Sequence, residues 1–141
     1  MSTINWKRIL LAGLAIGLFM NISEFILNGI ILAKDVEQAT KALNLAPPAG
    51  DFIAKAVGLT FIVGFVTVLL YASIYPRFKE SYKTILTTGL VVWFLIFVYG
   101  GVMDSAMGLF SWKITLIGIT WGLVETQLGA LFSSWLYREA E

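Results

Sequence analysis

The sequence predicts an all-α integral membrane protein, a four-helix transmembrane bundle forming one domain over its 141 residues. Three observations carry that expectation. Hydrophobic residues make up 58% of the chain against 13% charged, and the mean hydropathy is +0.83, too apolar for an ordinary soluble domain. The apolar residues gather into four runs, each close to the roughly 20 residues that a helix needs to cross a bilayer. Each run also keeps one stripe of small and polar residues, the pattern by which helices pack on one another in lipid.

The first run, 9–32, follows Lys7 and Arg8 as a signal peptide would. It is too long for a signal core, carries Glu24 and lacks a small-x-small cleavage site, so it reads as a retained helix. The others cover 52–75, 84–103 and 114–137. The first connection, 33–51, is the one sizeable extramembrane piece. Asp35 followed by Gln38 resembles a capping box, Glu37 and Lys41 are spaced i,i+4, and Pro47 and Pro48 stop a helix. A short external helix over 36–45, lying on the membrane or extending the first span, is therefore expected. The 76–83 connection is a basic loop in which Arg77, Lys79 and Lys83 suit anionic lipid head groups.

Charge sets the orientation. Lys7, Arg8, Arg77, Lys79, Lys83 and Arg138 fall on one side, and Lys34, Lys41, Lys55 and Lys113 on the other. The excess places both termini in the cytoplasm. Trp6, Tyr75, Tyr82, Trp112, Trp135 and Tyr137 stand at helix ends, where amphipathic rings favour the head-group layer.

What is missing narrows the chemistry. The chain has no Cys and no His, which removes disulfides, thiolate catalysis, most zinc and copper sites and histidine-ligated haem. No cofactor is expected. No Ser or Thr has a His, Cys or mid-membrane Lys to activate it, so no catalytic residue is named and the chain does not read as an enzyme. A net charge of +1 gives no reason to expect nucleic acid as a partner. The expected partners are the lipid bilayer and a homo-oligomer or a larger membrane complex.

At about 100° per residue, Gly13, Gly17, Asn21, Glu24 and Asn28 share one face of the first helix. Thr60, Gly64, Thr67 and Tyr71 do so on the second, Gly89, Trp93, Gly100 and Asp104 on the third, and Gly118, Gly122, Glu125, Gly129 and Ser133 on the fourth. Glu24 is expected to face the bundle, since a charge facing lipid costs about 2.5–3.5 kcal/mol or more. With a rise of 1.5 Å per residue, Glu24 lies about 12 Å and Glu125 about 16 Å below the external surface. The two acids are thus expected in one layer, with Asn21, Asn28 and Gln127 near. No basic residue lies at that depth, so at least one acid is expected to hold its proton near neutral pH.

Trp121 precedes Glu125 by one turn and covers the carboxyl, lines a cavity for an apolar ring, or, like Trp93, simply packs as bulk beside glycines. Asp104, after Gly100-Gly101, is an external-end acid at a helix terminus or at carbonyls open to a cation. Two functions fit this intramembrane polar site of Glu24, Glu125, Asn21, Asn28 and Trp121. The first is transport or permeation of a proton, cation or small solute, which would require an oligomer because four helices enclose little volume. The second is a non-catalytic accessory subunit of a larger membrane complex, binding lipid or pigment, with the same residues locking helix to helix.

A carboxylate in the first of four spans resembles the small multidrug-resistance transporters, in that one residue of a longer chain. Asn21-x-x-Glu24-x-x-x-Asn28, Tyr75-Pro76-Arg77-Phe78, Trp121-x-x-x-Glu125 and Leu136-Tyr137-Arg138-Glu139 are similar to small uncharacterised bacterial four-span proteins. That likeness implies the fold and the bacterial inner membrane, and no activity.

Overall fold

A computed structural model describes residues 4–79 and 81–137; Arg138 and Glu139, used above, lie outside the described residues. Five helices follow one another: α1 (Trp6–Ile31), α2 (Ala33–Ala42), α3 (Gly50–Phe78), α4 (Ser81–Ala106) and α5 (Trp112–Leu136). All except α2 are long and apolar enough to cross a membrane, and no strand occurs among the described residues. The chain is an all-α, membrane-embedded bundle.

Helix α1 starts at Asn5, whose side-chain oxygen accepts a hydrogen bond from the Arg8 N–H at 3.1 Å. This N-cap satisfies one of the free donors at the helix start and carries the helix through Lys7 and Arg8. Its last turn, Leu27–Ile31, is a π-helix closed by the Leu32 N–H on the Leu27 carbonyl at 2.8 Å. A second π-turn, Phe94–Val98, interrupts α4. Wide turns of this kind locally rotate the faces of a helix and are frequent at functional sites.

The connection after α1 differs from the capping-box expectation. Because the π-turn passes through Leu32 straight into α2, the new helix begins at Ala33, and Asp35 falls within its first turn. The Asp35 carboxylate instead accepts from Lys113 Nζ at 2.9 Å, joining α2 to the start of α5. Glu37 and Lys41 do pair, at 2.6 Å. The hydrogen bond from Lys41, with its charge, holds the Glu37 carboxyl below the usual range. The basic 76–83 connection is also mostly helical. Helix α3 runs through Pro76 to Phe78, where only the last turn feels the missing N–H, and Lys79 caps it in the left-handed conformation (φ 54°).

The four spans form an antiparallel ring in the order α1, α3, α4, α5, with α5 closing on α1. Near both ends of the described chain, the Asn5 N–H donates to the Tyr137 hydroxyl at 3.4 Å, so these ends lie on one face of the bundle. Ile9, Ala12, Ile16 and Met20 of α1 meet Val68, Tyr71 and Ala72 of α3 in the core. At Gly64 of α3 it is backbone that meets backbone. A Cβ built there would lie 2.5 Å from the Gly17 nitrogen and 2.8 Å from the Gly13 carbonyl oxygen. The small residues of α1 and α3 therefore let two backbones touch, as small-residue packing in lipid requires. Large apolar side chains face outward on every span, and Trp6, Trp112 and Trp135 stand exposed near the helix ends. At the α2 end, residues 50–59 of α3 are exposed on all sides.

Candidate functional site

The buried face of α1 is set by its apolar row. Ile9, Ala12, Ile16, Met20, Ser23 and Leu27 follow the three-and-four spacing of one helix face, and all six are buried. Ser23 is the one hydroxyl in that row, and it lands against Glu125 of α5. Glu125 is 4% exposed. The Ser23 hydroxyl donates to Glu125 Oε2, and the indole Nε1–H of Trp121 donates to Ser23 Oγ at 2.9 Å. Trp121, Ser23 and Glu125 thus form a short relay in which both donated hydrogens are directed toward the carboxyl. Among the described residues no Lys or Arg pairs with Glu125.

This relay sits at the foot of a groove of about 720 Å³ between α1 and α5. Phe19, Ile22 and Ile26 form one wall, and Leu116, Val124 and Leu128 the other. Ile22, Leu116 and Val124 are 54%, 59% and 60% exposed, so the groove opens sideways on the surface that meets lipid. Thr120 also lines it, but its hydroxyl donates to the Leu116 carbonyl of its own helix at 2.9 Å. The size falls within the roughly 300–1,000 Å³ of small-molecule pockets. An apolar groove with one buried carboxyl at its base can hold an amphiphile, or exchange a proton with one.

The other polar residues of α1 are distributed differently from the sequence expectation. Glu24 is half-buried and turns to its own helix: Oε2 accepts from Asn28 Nδ2 at 2.8 Å, while Oε1 is buried without a partner among the described residues. Asn21 Nδ2 donates to the Gly17 carbonyl at 2.9 Å and to the Val57 carbonyl of α3 at 3.4 Å. Asn28 is exposed. Gln127 points to α4, against Gly89 and the Leu86 carbonyl. So the structure joins Glu125 with Trp121 and with the unforeseen Ser23, and leaves Asn21 and Asn28 outside that contact. Seven residues after Ile16 and three after Met20, Ser23 is a polar member of an apolar row, which is the signal that finds it.

Trp93, the other mid-span indole, donates to the Ile119 carbonyl at 2.8 Å and ties α4 to α5. Asp104 is half-buried near the end of α4, where the helix continues through Gly100 and Gly101 to Ala106. The Gly101 carbonyl accepts from Thr115 Oγ1 at 3.3 Å, so it is turned to α5 rather than displayed to a cation. Thr115 is ten residues from Glu125, about 15 Å along the helix, and Asp104 belongs to a separate region. Arg77, Lys79 and Lys83 are exposed at the opposite end of the bundle from α2, with Lys83 Nζ 5.6 Å from the Tyr82 ring centroid. No protein-family model matches the chain, and neither a curated protein nor a solved structure matches it.

Proposed function

We propose that this chain is a small, non-catalytic membrane transport protein in which Glu125 is the proton- or cation-exchanging group of a solute site. The observation that carries the reading is the carboxyl itself. A side chain that is 4% exposed, without a cationic partner among the described residues, stands at the foot of a groove open to lipid. An ionisable group inside a span is costly, and such groups mark ion and substrate pathways. Glu24, the neighbour of Ser23 in α1, serves as a second acid, and Asn28 holds it in place. The chain resides in the bacterial cytoplasmic membrane with both termini on the cytoplasmic side. Lys and Arg numbers support that orientation. Arg77, Lys79 and Lys83 then meet anionic lipid head groups.

The test is flux. Purified chain in vesicles loaded with a pH-sensitive dye should dissipate an imposed proton gradient, and Glu125→Gln should abolish that flux while keeping the fold. Glu125→Gln vesicles as leaky as the parent would overturn the reading. One observation favours an accessory subunit instead. Residues 50–59 of α3 are all exposed, although Asn21 of α1 reaches the Val57 carbonyl, as a helix end that seats against another protein would be. Purification in mild detergent separates the two readings, since foreign subunits held in fixed ratio support the second and a homo-oligomer the first.

A further inference from the structure

The hydrogen-bond directions at the foot of the groove specify what kind of head group fits there. Each side-chain donor in the polar part of the groove is already committed. The Trp121 N–H goes to Ser23, the Ser23 O–H to Glu125, and the Thr120 O–H to the Leu116 carbonyl. The remaining capacity lies at Glu125, which when ionised accepts at two oxygens and donates at neither, and when protonated holds one O–H that a basic nitrogen can take up whole but a carbonyl or ether cannot. A ligand headed by a carbonyl or ether finds no free donor from Ser23, Thr120 or Trp121. One that brings its own N–H does find an acceptor, and a positive charge on it complements a carboxyl that no Lys or Arg pairs among the described residues. The body of the ligand is fixed by the walls, which are aliphatic and aromatic and open to lipid through Ile22, Leu116 and Val124.

We propose, resting on the transport reading above, that the solute is an apolar-bodied primary or secondary amine that enters the groove sideways from the bilayer and donates its N–H to Glu125. The amine crosses hydrocarbon best as the neutral base. Where Glu125 holds a proton, the carboxyl O–H bond breaks and a bond from that proton to the nitrogen lone pair forms. The products are an ammonium and a carboxylate in contact, with no other reactant consumed. A primary or secondary ammonium keeps an N–H for the carboxylate, and such charge-assisted bonds are short and about twice as strong as neutral ones. A quaternary ammonium has the charge but no N–H. An alcohol has a donor but no charge. These three heads therefore separate the contributions.

The experiment is equilibrium binding of three probes that share one body to the chain in lipid nanodiscs, with protein-free nanodiscs as the blank. The probes are 4-phenylbutylamine, its N,N,N-trimethyl derivative and 4-phenylbutanol. The amine should bind at least about tenfold more tightly than either analogue, the span of one charge-assisted hydrogen bond. Glu125→Gln should remove that preference. Val124→Trp, which fills the groove without altering the carboxyl, should weaken the amine by a similar factor. Size-exclusion profiles and thermal melts establish that both variants fold. Equal binding of the three probes, amine binding that survives Glu125→Gln, or no binding by any probe would each overturn the amine assignment. Glu125-dependent proton flux without amine binding would overturn this inference alone. Amine binding that needs Glu125, in a chain that dissipates no gradient, would sustain the site's specificity and sink transport.

Discussion

Replacing Gly64 with alanine is the sharpest perturbation of the packing. The added Cβ would sit 2.5 Å from the Gly17 nitrogen and 2.8 Å from both the Gly17 Cα and the Gly13 carbonyl oxygen. These are backbone atoms of α1, so no side-chain rotation relieves the clash. Ordinary contact between such atoms begins at about 3.5 Å, and α1 and α3 must separate by about 1 Å to reach it. Phe65 over Gly13 and Phe61 over Gly17 would then lose close contact along the same seam. Overpacking of this kind costs about 1–3 kcal/mol. Gly58, in the same helix, has nothing within 4 Å of its Cβ position. There alanine brings only its better helix propensity, worth up to about 1 kcal/mol. The two substitutions should therefore move stability in opposite directions when unfolding is titrated with a denaturing detergent in mixed micelles. Gly64→Ala as stable as Gly58→Ala would refute the reading of backbone contact between α1 and α3.

Three further outcomes follow from other parts of the structure. Ser23→Ala should destabilise the chain by about 1–3 kcal/mol, because the Trp121 N–H loses its acceptor and Glu125 its donor. In a double-mutant cycle with Trp121→Phe the losses should be less than additive, and strict additivity would deny the relay. Lys113→Ala should cost no more than about 1 kcal/mol, with the difference shrinking in high salt, because its pair with Asp35 is exposed. A larger, salt-independent loss would show that α2 is held by something else. A reporter fused after Glu141 should be cytoplasmic and one inserted after Pro47 external, by the distribution of Lys and Arg. The reverse pattern would invert the orientation.

The spans were legible because each is an apolar run long enough to cross a bilayer, and neither length nor hydropathy depends on the neighbours. The small faces of α3 and α5 were legible for a related reason. Gly64, Thr67 and Tyr71 are buried on α3, and Gly122, Glu125, Gly129 and Ser133 on α5, in an otherwise apolar helix. Helix α1 was harder, because two helices press on it. Its glycines face α3, while its apolar row turns toward the core and α5. Which edge of the polar stripe meets Glu125 depends on the order of helices in the ring, and that order is not written in any one span. Hence Ser23, the neighbour of Glu24, is the contact to Glu125 that the polar stripe alone does not single out. Asp35 was misread for a local reason: the π-turn at Leu27–Ile31 carries α1 almost directly into α2, and a side chain that looks like a cap then lies inside the first turn.

The most direct measurement is modification of Glu125 by an apolar carbodiimide that reaches carboxyls from the lipid phase. Vesicles holding the chain are treated near neutral pH, modified peptides are mapped by mass, and proton flux is followed in the same sample. If the groove delivers apolar molecules to a protonated working carboxyl, the adduct should appear on Glu125, and flux should fall in proportion to the fraction modified. Flux that persists with Glu125 fully modified, or that falls while Glu125 remains unmodified, would contradict its role as the working acid.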